Sequence, residues 1–241
     1  MLVPALTAAG VATVAAGVAS YAAACPTSQL FGSTIIAGSN PNQLALTFDD
    51  GPNDPETQLL LDVLARQKVR ATFFVVGRYV RQRPQTLRAI AAAGHLIGNH
   101  TETHPNLFLC SSARIREELI RCNTAIEDAI GAPVSFMRCP FGYRRPATLR
   151  IALSLGLAPV MWNVTAYDWQ QGITAAQILS NIQRGIARNT IRFRGSNILL
   201  HDGSHRAFGT NRRATVEAVR LLLEQQSSNT ETRFVTPQVW A

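Results

Sequence analysis

The sequence predicts an α/β fold whose parallel sheet rolls into a barrel, and three observations carry that expectation. Strand-like and helix-like segments alternate between residues 42 and 236, about seven βα units, the pattern of parallel strands joined by crossover helices. Each chemically suggestive residue falls just after a strand: Asp49-Asp50, His100, Arg138, His201 and, at slightly greater distance, Asp168. Groups drawn from several strand ends gather on one face of a barrel, whereas the crevice of an open doubly wound sheet draws on fewer. Finally, no glycine triplet, heptad array or longer repeat is present, which excludes collagen, coiled coil and solenoid.

The elements follow in order. Residues 44–48 are a short apolar run entering Asp-Asp-Gly-Pro, a strand meeting a turn. Leu59, Leu60, Val63 and Leu64 recur at helical spacing and predict a helix over 55–68. Residues 71–76 are β-branched and aromatic, a strand. A helix over 84–93 stops at Gly94, a residue suited to a left-handed cap. Residues 96–98 form a short strand leading to His100. A long helix over 112–130, capped by Ser112, ends at Gly131 and Pro133. Strand 134–137, helix 147–155 (ended by Gly156), strand 158–164, helix 174–188, strand 196–200, helix 211–226 and strand 233–235 complete the chain.

At 241 residues and 46% apolar composition the chain can bury a sizeable core. Only one apolar stretch is long enough to span a bilayer, so a polytopic membrane protein is excluded. That stretch is residues 1–24, uncharged and ending in Ala22-Ala23-Ala24 before Cys25-Pro26. It looks like the apolar core and small-residue cleavage site of a secretory signal, although Lys and Arg are missing near Met1. Three readings stay open: a cleaved signal or N-terminal membrane anchor of an exported protein, a flexible or core-docked segment, and a lipoprotein signal acylated at Cys25. Residues 1–25 are therefore set apart, 26–41 are a lead-in, and 42–241 are expected to form the main domain.

The net charge is +8, and Lys68 is the only lysine among 23 basic residues. This fits either anionic partners or a compositional preference for arginine. The arginines do not interleave with aromatics, so no nucleic-acid partner is expected. No oligomerisation signal stands out, and a monomer is expected. The four cysteines form no CxxC pair. Cys110 and Cys122 are candidates for a disulfide; four buried reduced thiols are the alternative.

Five short clusters concentrate the carboxylates and imidazoles. In Thr47-Phe48-Asp49-Asp50-Gly51-Pro52, two adjacent carboxylates at a strand end repel unless a cation is present; a turn or cap is the plain alternative. In His100-Thr101-Glu102-Thr103-His104, two imidazoles at i and i+4 lie on one face of a helical turn and suit one metal, with Asp50 as a spare carboxylate. Arg138-Cys139-Pro140-Phe141-Gly142 offers a strand-end guanidinium for a carboxylate and a loop whose N–H groups can face a reacting carbonyl. Asp168-Trp169 and Leu199-Leu200-His201 together supply an imidazole and a carboxylate to hold it, the arrangement of a general acid near neutral pH.

In their order TFDDGP, HTETH, RCPFG, DW and LLH, these clusters resemble the five motifs of the polysaccharide deacetylase family, carbohydrate esterase family four or the NodB homology domain. The likeness spans residues 42–236. It implies a distorted (β/α) barrel, TIM-barrel-like and often seven-stranded, that removes acetyl groups from acetylated sugars. It also implies roles: Asp49 as general base, Asp50, His100 and His104 as ligands of one divalent metal, and Arg138 as the partner that orients Asp49. The N–H of Phe141 would hold the oxyanion, Trp169 and Leu199 would wall the acetyl methyl, and His201 would be the general acid tuned by Asp168. Zinc suits such a ligand set, with cobalt, nickel or manganese as alternatives.

The chain departs from the family at Cys139, where proline or a small apolar residue is more usual, and in residues 162–167, which lack an acid found in many relatives. Cys139 is expected to point into the core. His205 is read as a substrate contact or a surface-loop residue, the latter favoured. The expected substrate is an N-acetylated polysaccharide of the chitin or peptidoglycan type. An O-acetyl esterase on xylan or another glycan and a glycan-binding pseudoenzyme are the alternatives; the last predicts a lost ligand or base, and none is lost.

Overall fold

The computed structural model describes the backbone from Val3 and side chains from Thr13 onward, to Ala241. A parallel sheet forms its centre, in the order β5-β4-β3-β2-β1-β7-β6. These strands are β1 (Gln43–Gly51), β2 (Thr72–Val75), β3 (Leu96–Asn99), β4 (Phe136–Met137), β5 (Ala158–Pro159), β6 (Val164–Thr165) and β7 (Ser196–His201). A short β8 (Arg233–Phe234) pairs with the start of β1. The sheet curls into a half-barrel. Its ends, β5 and β6, are not paired with each other; Ile35 of the lead-in bridges to Val160 on the β5 side. The expected α/β barrel with seven main strands is thus present, with an open seam.

Helices cover the outside: α2 (Glu56–Arg66), α3 (Gly77–Gln82), α4 (Pro84–Ala92), α5 (Ser112–Ile130), α6 (Pro146–Ser154), α7 (Ala175–Ile191) and α8 (Arg213–Gln226). Their apolar stripes bury Leu60, Leu64, Ile115, Leu119, Ile178 and Leu222 against outward-facing sheet residues such as Leu46, Phe48 and Phe73. The helix preceding the sheet, α1 (Val3–Ala24), is the apolar N-terminal segment. Its end docks on the body, with Ala22 and Ala23 buried and the Arg144 N–H donating to the Ala23 carbonyl at 3.2 Å. Met1 and Leu2, part of the expected export signal, lie outside the described residues. Among the described residues, no helix is long and apolar enough to cross a membrane.

Three local expectations are corrected, and one open alternative is decided. The α5 cap is Ser111, whose side chain accepts from the Arg114 N–H, and not Ser112. The expected strand over 158–164 is two short strands, because the chain leaves β4 at Pro159 and joins β7 at Val164. The 100–104 segment is a loop, not a helical turn; Thr101 and His104 both sit at positive φ, 68° and 61°. All four cysteines are free, but only Cys122 and Cys139 are buried, Cys25 and Cys110 being half-buried; the Cys122 thiol faces the Val75 carbonyl, while the Cys110 thiol donates to the Asn106 carbonyl. Helix α3 was missed because its few residues carry no clear apolar period.

Candidate active site

Register sets the site. β1 and β7 are paired so that Asp49 lies opposite His201. β3 and β4 pair Asn99 with Met137, which puts the following residues, His100 and Arg138, side by side. Four strand ends therefore deliver four functional groups to one rim, as parallel strands in a barrel must.

Beyond its register partner, Asp49 is buried and its Oδ1 accepts from Arg138 Nη1 at 2.8 Å. The same Nη1 donates to Thr47 Oγ1 at 2.8 Å. Arg138 is wholly buried and its guanidinium lies over the Phe74 ring, 4.2 Å from the centroid. With Oδ1 engaged, Asp49 Oδ2 is the oxygen turned to the pocket, 3.7 Å from His100 Nε2.

Asp50 adopts φ 74°, a strained conformation for a non-glycine residue that turns its carboxylate away from the strand direction. Its Oδ1 lies 3.6 Å from His100 Nε2 and 3.1 Å from His104 Nε2. One donor atom from each of the three residues falls within 4.8 Å of the others. Asp50 Oδ1 is buried and lacks a hydrogen-bond partner among the described residues. An orphaned carboxylate oxygen facing two ring nitrogens fits a divalent ion, which would satisfy all three at once. His100 Nδ1 donates to the Arg138 carbonyl at 2.9 Å, since a carbonyl can only accept, and this leaves the Nε2 lone pair free for an ion. Burial pushes the His100 pKa down to about 4, so the ring is neutral at physiological pH, the form that ligates.

The loop holding both histidines is laced to its neighbours. The Asn99 side chain accepts from the Thr101 N–H at 2.7 Å and donates to the Leu119 carbonyl at 2.8 Å. The buried Glu118 carboxylate accepts from the Thr103 N–H and hydroxyl at 2.8 and 2.7 Å. These bonds replace the helical ones that the i, i+4 spacing suggested.

Across the cleft, His201 Nδ1 bonds Asp168 Oδ1 at 2.8 Å, and Asp168 Oδ2 accepts from the His201 N–H and from Thr215 Oγ1 at 2.8 and 3.0 Å. Burial alone would lower the His201 pKa, but the charge and hydrogen bond of Asp168, aided by Asp50 and Asp49, raise it to about 9. Its ring is therefore an acid with Nε2 open to the pocket. Trp169 meets that ring edge-on at 5.3 Å, and Leu199 is buried with Met161 and Trp162 below it. Phe141 sits at φ 58° with its ring edge-on to His104 at 4.6 Å.

Asp49, Asp50, His100 and His104 line one cleft of about 480 Å³ together with Phe141, Trp169, Leu199 and His201. Arg138 and Asp168 stand directly behind Asp49 and His201. Every site residue expected from the sequence thus lies at this rim. A larger hollow of about 670 Å³ opens beside Gly38, Arg194 and Trp240, but no side-chain carboxylate or imidazole lines it. Cys139 is buried with its thiol pKa pushed up to about 12, as expected for a core residue. One contributor escaped the sequence reading, and the favoured placement of another is corrected. Arg212 donates to the Asp168 and Gly203 carbonyls at 3.1 and 2.8 Å, and His205, expected on a surface loop, lines the cleft. Arg212 carries no local sequence signal.

A base fixed by a guanidinium, a three-donor cation site and an imidazole acid, converging on a narrow cleft, define a metal-assisted hydrolase centre. Comparison with known proteins agrees: the family described as polysaccharide deacetylase matches residues 37–160. A chitooligosaccharide deacetylase from Sinorhizobium fredii is 40% identical over 171 residues, covering 69% of this chain and 75% of that one. The crystal structure of the Bc1960 peptidoglycan N-acetylglucosamine deacetylase, in complex with 4-naphthalen-1-yl-N-oxidanyl-benzamide, superposes with a TM-score of 0.76 at 32% identity, covering 85% of this chain and 91% of that one. A family 4 acetyl xylan esterase from Clostridium thermocellum, in complex with a cobalt ion, gives a TM-score of 0.71 at 31% identity, covering 82% and 89%. The chain belongs to the polysaccharide deacetylase family.

Proposed function

We propose that this protein is a metal-dependent hydrolase that removes acetyl groups from N-acetylated sugars of a chitin- or peptidoglycan-type polymer, releasing acetate. The carrying observation is that Asp49, fixed by Arg138, and His201, fixed by Asp168, flank the Asp50–His100–His104 donor set within one cleft. When bound, a divalent ion supplies Lewis-acid chemistry to the acetyl carbonyl and to water. Asp49 Oδ2 accepts the proton of the attacking water, because Oδ1 is already held by Arg138. His201 Nε2 delivers a proton to the departing sugar nitrogen, because Nδ1 is held by Asp168. The Phe141 N–H takes a share of the oxyanion, a kind of contact whose loss costs about 3 kcal/mol. Trp169 and Leu199 wall the methyl group.

Zinc is the resident metal in this reading, since one carboxylate and two imidazoles suit it. The protein works as an exported monomer, with residues 1–24 directing export or anchoring it at a membrane surface. The uncharged α1 and its small-residue end support this reading.

The same residues would also cleave an O-acetyl ester, and the likeness to an acetyl xylan esterase favours that second reading. Acetate release from N-acetylglucosamine oligomers, peptidoglycan and acetylated xylan separates the two. Release is expected from the amino-sugar polymers, lost with chelator and in Asp49→Asn, and restored by zinc. Hydrolysis that survives both chelator and Asp49→Asn would overturn the mechanism.

A further inference from the structure

The loop from β7 to α8, residues 203–212, carries a histidine to which the chemistry above gives no role. The His205 ring lies flat on His104, with 4.5 Å between centroids and 12° between planes. Phe141 meets it edge-on at 5.0 Å. His205 Nδ1 faces Asp50 Oδ2 at 3.6 Å, on the opposite side of that carboxylate from the oxygen turned toward His100 and His104. It is not one of the converging donors, which are Asp50, His100 and His104.

The two ligating imidazoles are held in different ways. His100 has its outer nitrogen fixed by the Arg138 carbonyl. His104 Nδ1 is buried and has no hydrogen-bond partner among the described residues. Nothing polar sets the His104 ring plane from its outer side, so its orientation rests on the rings packed against it.

The loop is braced well enough to serve that purpose. Arg78 donates to the His205 carbonyl at 2.5 Å, and the Tyr79 hydroxyl donates to the Ser204 carbonyl at 3.0 Å. Arg212 holds the Gly203 carbonyl, and Asn53 Nδ2 donates to the Thr210 carbonyl at 2.9 Å. The Arg83 guanidinium lies over Phe208, 4.5 Å from its centroid. His205 is therefore presented from a fixed backbone, with its side chain 31% exposed at the cleft wall.

We propose that His205 is a positioning residue of the metal site. Its ring fixes the plane of His104, and its Nδ1 holds the outer oxygen of Asp50 so that Oδ1 turns inward. This inference rests on the metal reading of the Asp50–His100–His104 set. Groups that orient ligands from behind typically change metal affinity by about 10–100-fold when removed.

The test is zinc affinity of the full chain, by competition with a chromophoric chelator, in wild type, His205→Ala and His205→Phe. Ala removes both contacts and is expected to weaken binding about 10–100-fold. Phe keeps the ring stack and loses only the polar contact, so about a threefold to tenfold loss is expected. Cobalt-loaded proteins at saturation should share one visible absorption band, because no ligand has been removed. Affinity of His205→Ala within about threefold of wild type would overturn the proposal. A shifted band at saturation would do so too, by making His205 a ligand. Should His205→Ala fail to fold, His205→Phe decides: wild-type affinity there would overturn the proposal, which requires the Asp50 contact. A wild-type chain that takes up no zinc or cobalt refutes instead the metal reading beneath it.

Discussion

Arg138 binds Asp49 and His100 at once: its guanidinium donates to the Asp49 carboxylate at 2.8 Å, and its backbone carbonyl accepts from His100 Nδ1 at 2.9 Å. One residue thus fixes the Asp49 carboxylate and selects the tautomer of the His100 ring. Because the guanidinium is fully buried, removing it leaves Asp49 as an uncompensated interior charge. Arg138→Ala is expected to destabilise the fold by about 3–5 kcal/mol and to abolish acetate release. Arg138→Lys retains the charge and recovers stability only in part, since one ammonium cannot also reach the Val160 and Met161 carbonyls that Nε and Nη2 meet at 3.3 Å. Urea unfolding of both variants checks this; wild-type stability in Arg138→Ala would contradict it.

The pH profile tests the His201–Asp168 pair. His201 acts while protonated, and its pKa is raised to about 9, so kcat/KM should stay level through neutral pH and fall as pH rises through about 9. Asp168→Asn removes the main upward pull. Its basic limb should move down toward the value of free imidazole, about 6.5. A limb that stays in place in Asp168→Asn would show that another group supplies the proton.

Gly203 lies where no side chain fits. A Cβ there would stand 2.2 Å from the Asp50 carbonyl oxygen and 3.1 Å from the Gly51 nitrogen, both backbone atoms that cannot swing aside. Gly203→Ala is therefore expected to push Asp50 out of place, with a stability loss of about 1–3 kcal/mol and weakened metal uptake. Thermal unfolding and zinc titration of this variant read the two effects separately.

Oxidation state offers a simpler check. Cys110 and Cys122 make separate contacts, and Cys122 is sealed in the core. Thiol titration of the unfolded, unreduced protein should count four free thiols. A count of two would mean that a pair forms after all.

Much of the site was readable from residue order, because hydrolysis of an amide limits which groups can serve and strand ends limit where they can stand. Asp49, Asp50, His100 and His104 all sit where short motifs placed them, as do Arg138, Asp168 and His201. The reason given for one pair was nevertheless wrong: His100 and His104 converge through a loop with two residues at positive φ, not through a helical turn. Residue spacing measures separation along the chain, and more than one backbone path brings i and i+4 together.

The sequence by itself determined which candidate groups stand at strand ends and that parallel strands would carry them, since apolar periodicity and residue type are local properties. Only the tertiary structure decided that Asp49 and His201 face each other in register, that the sheet stays open between β5 and β6, and that His205 and Arg212 reach the cleft. These depend on pairings between segments distant in the chain, where the packing of whole elements, and no neighbouring residue, chooses the partner.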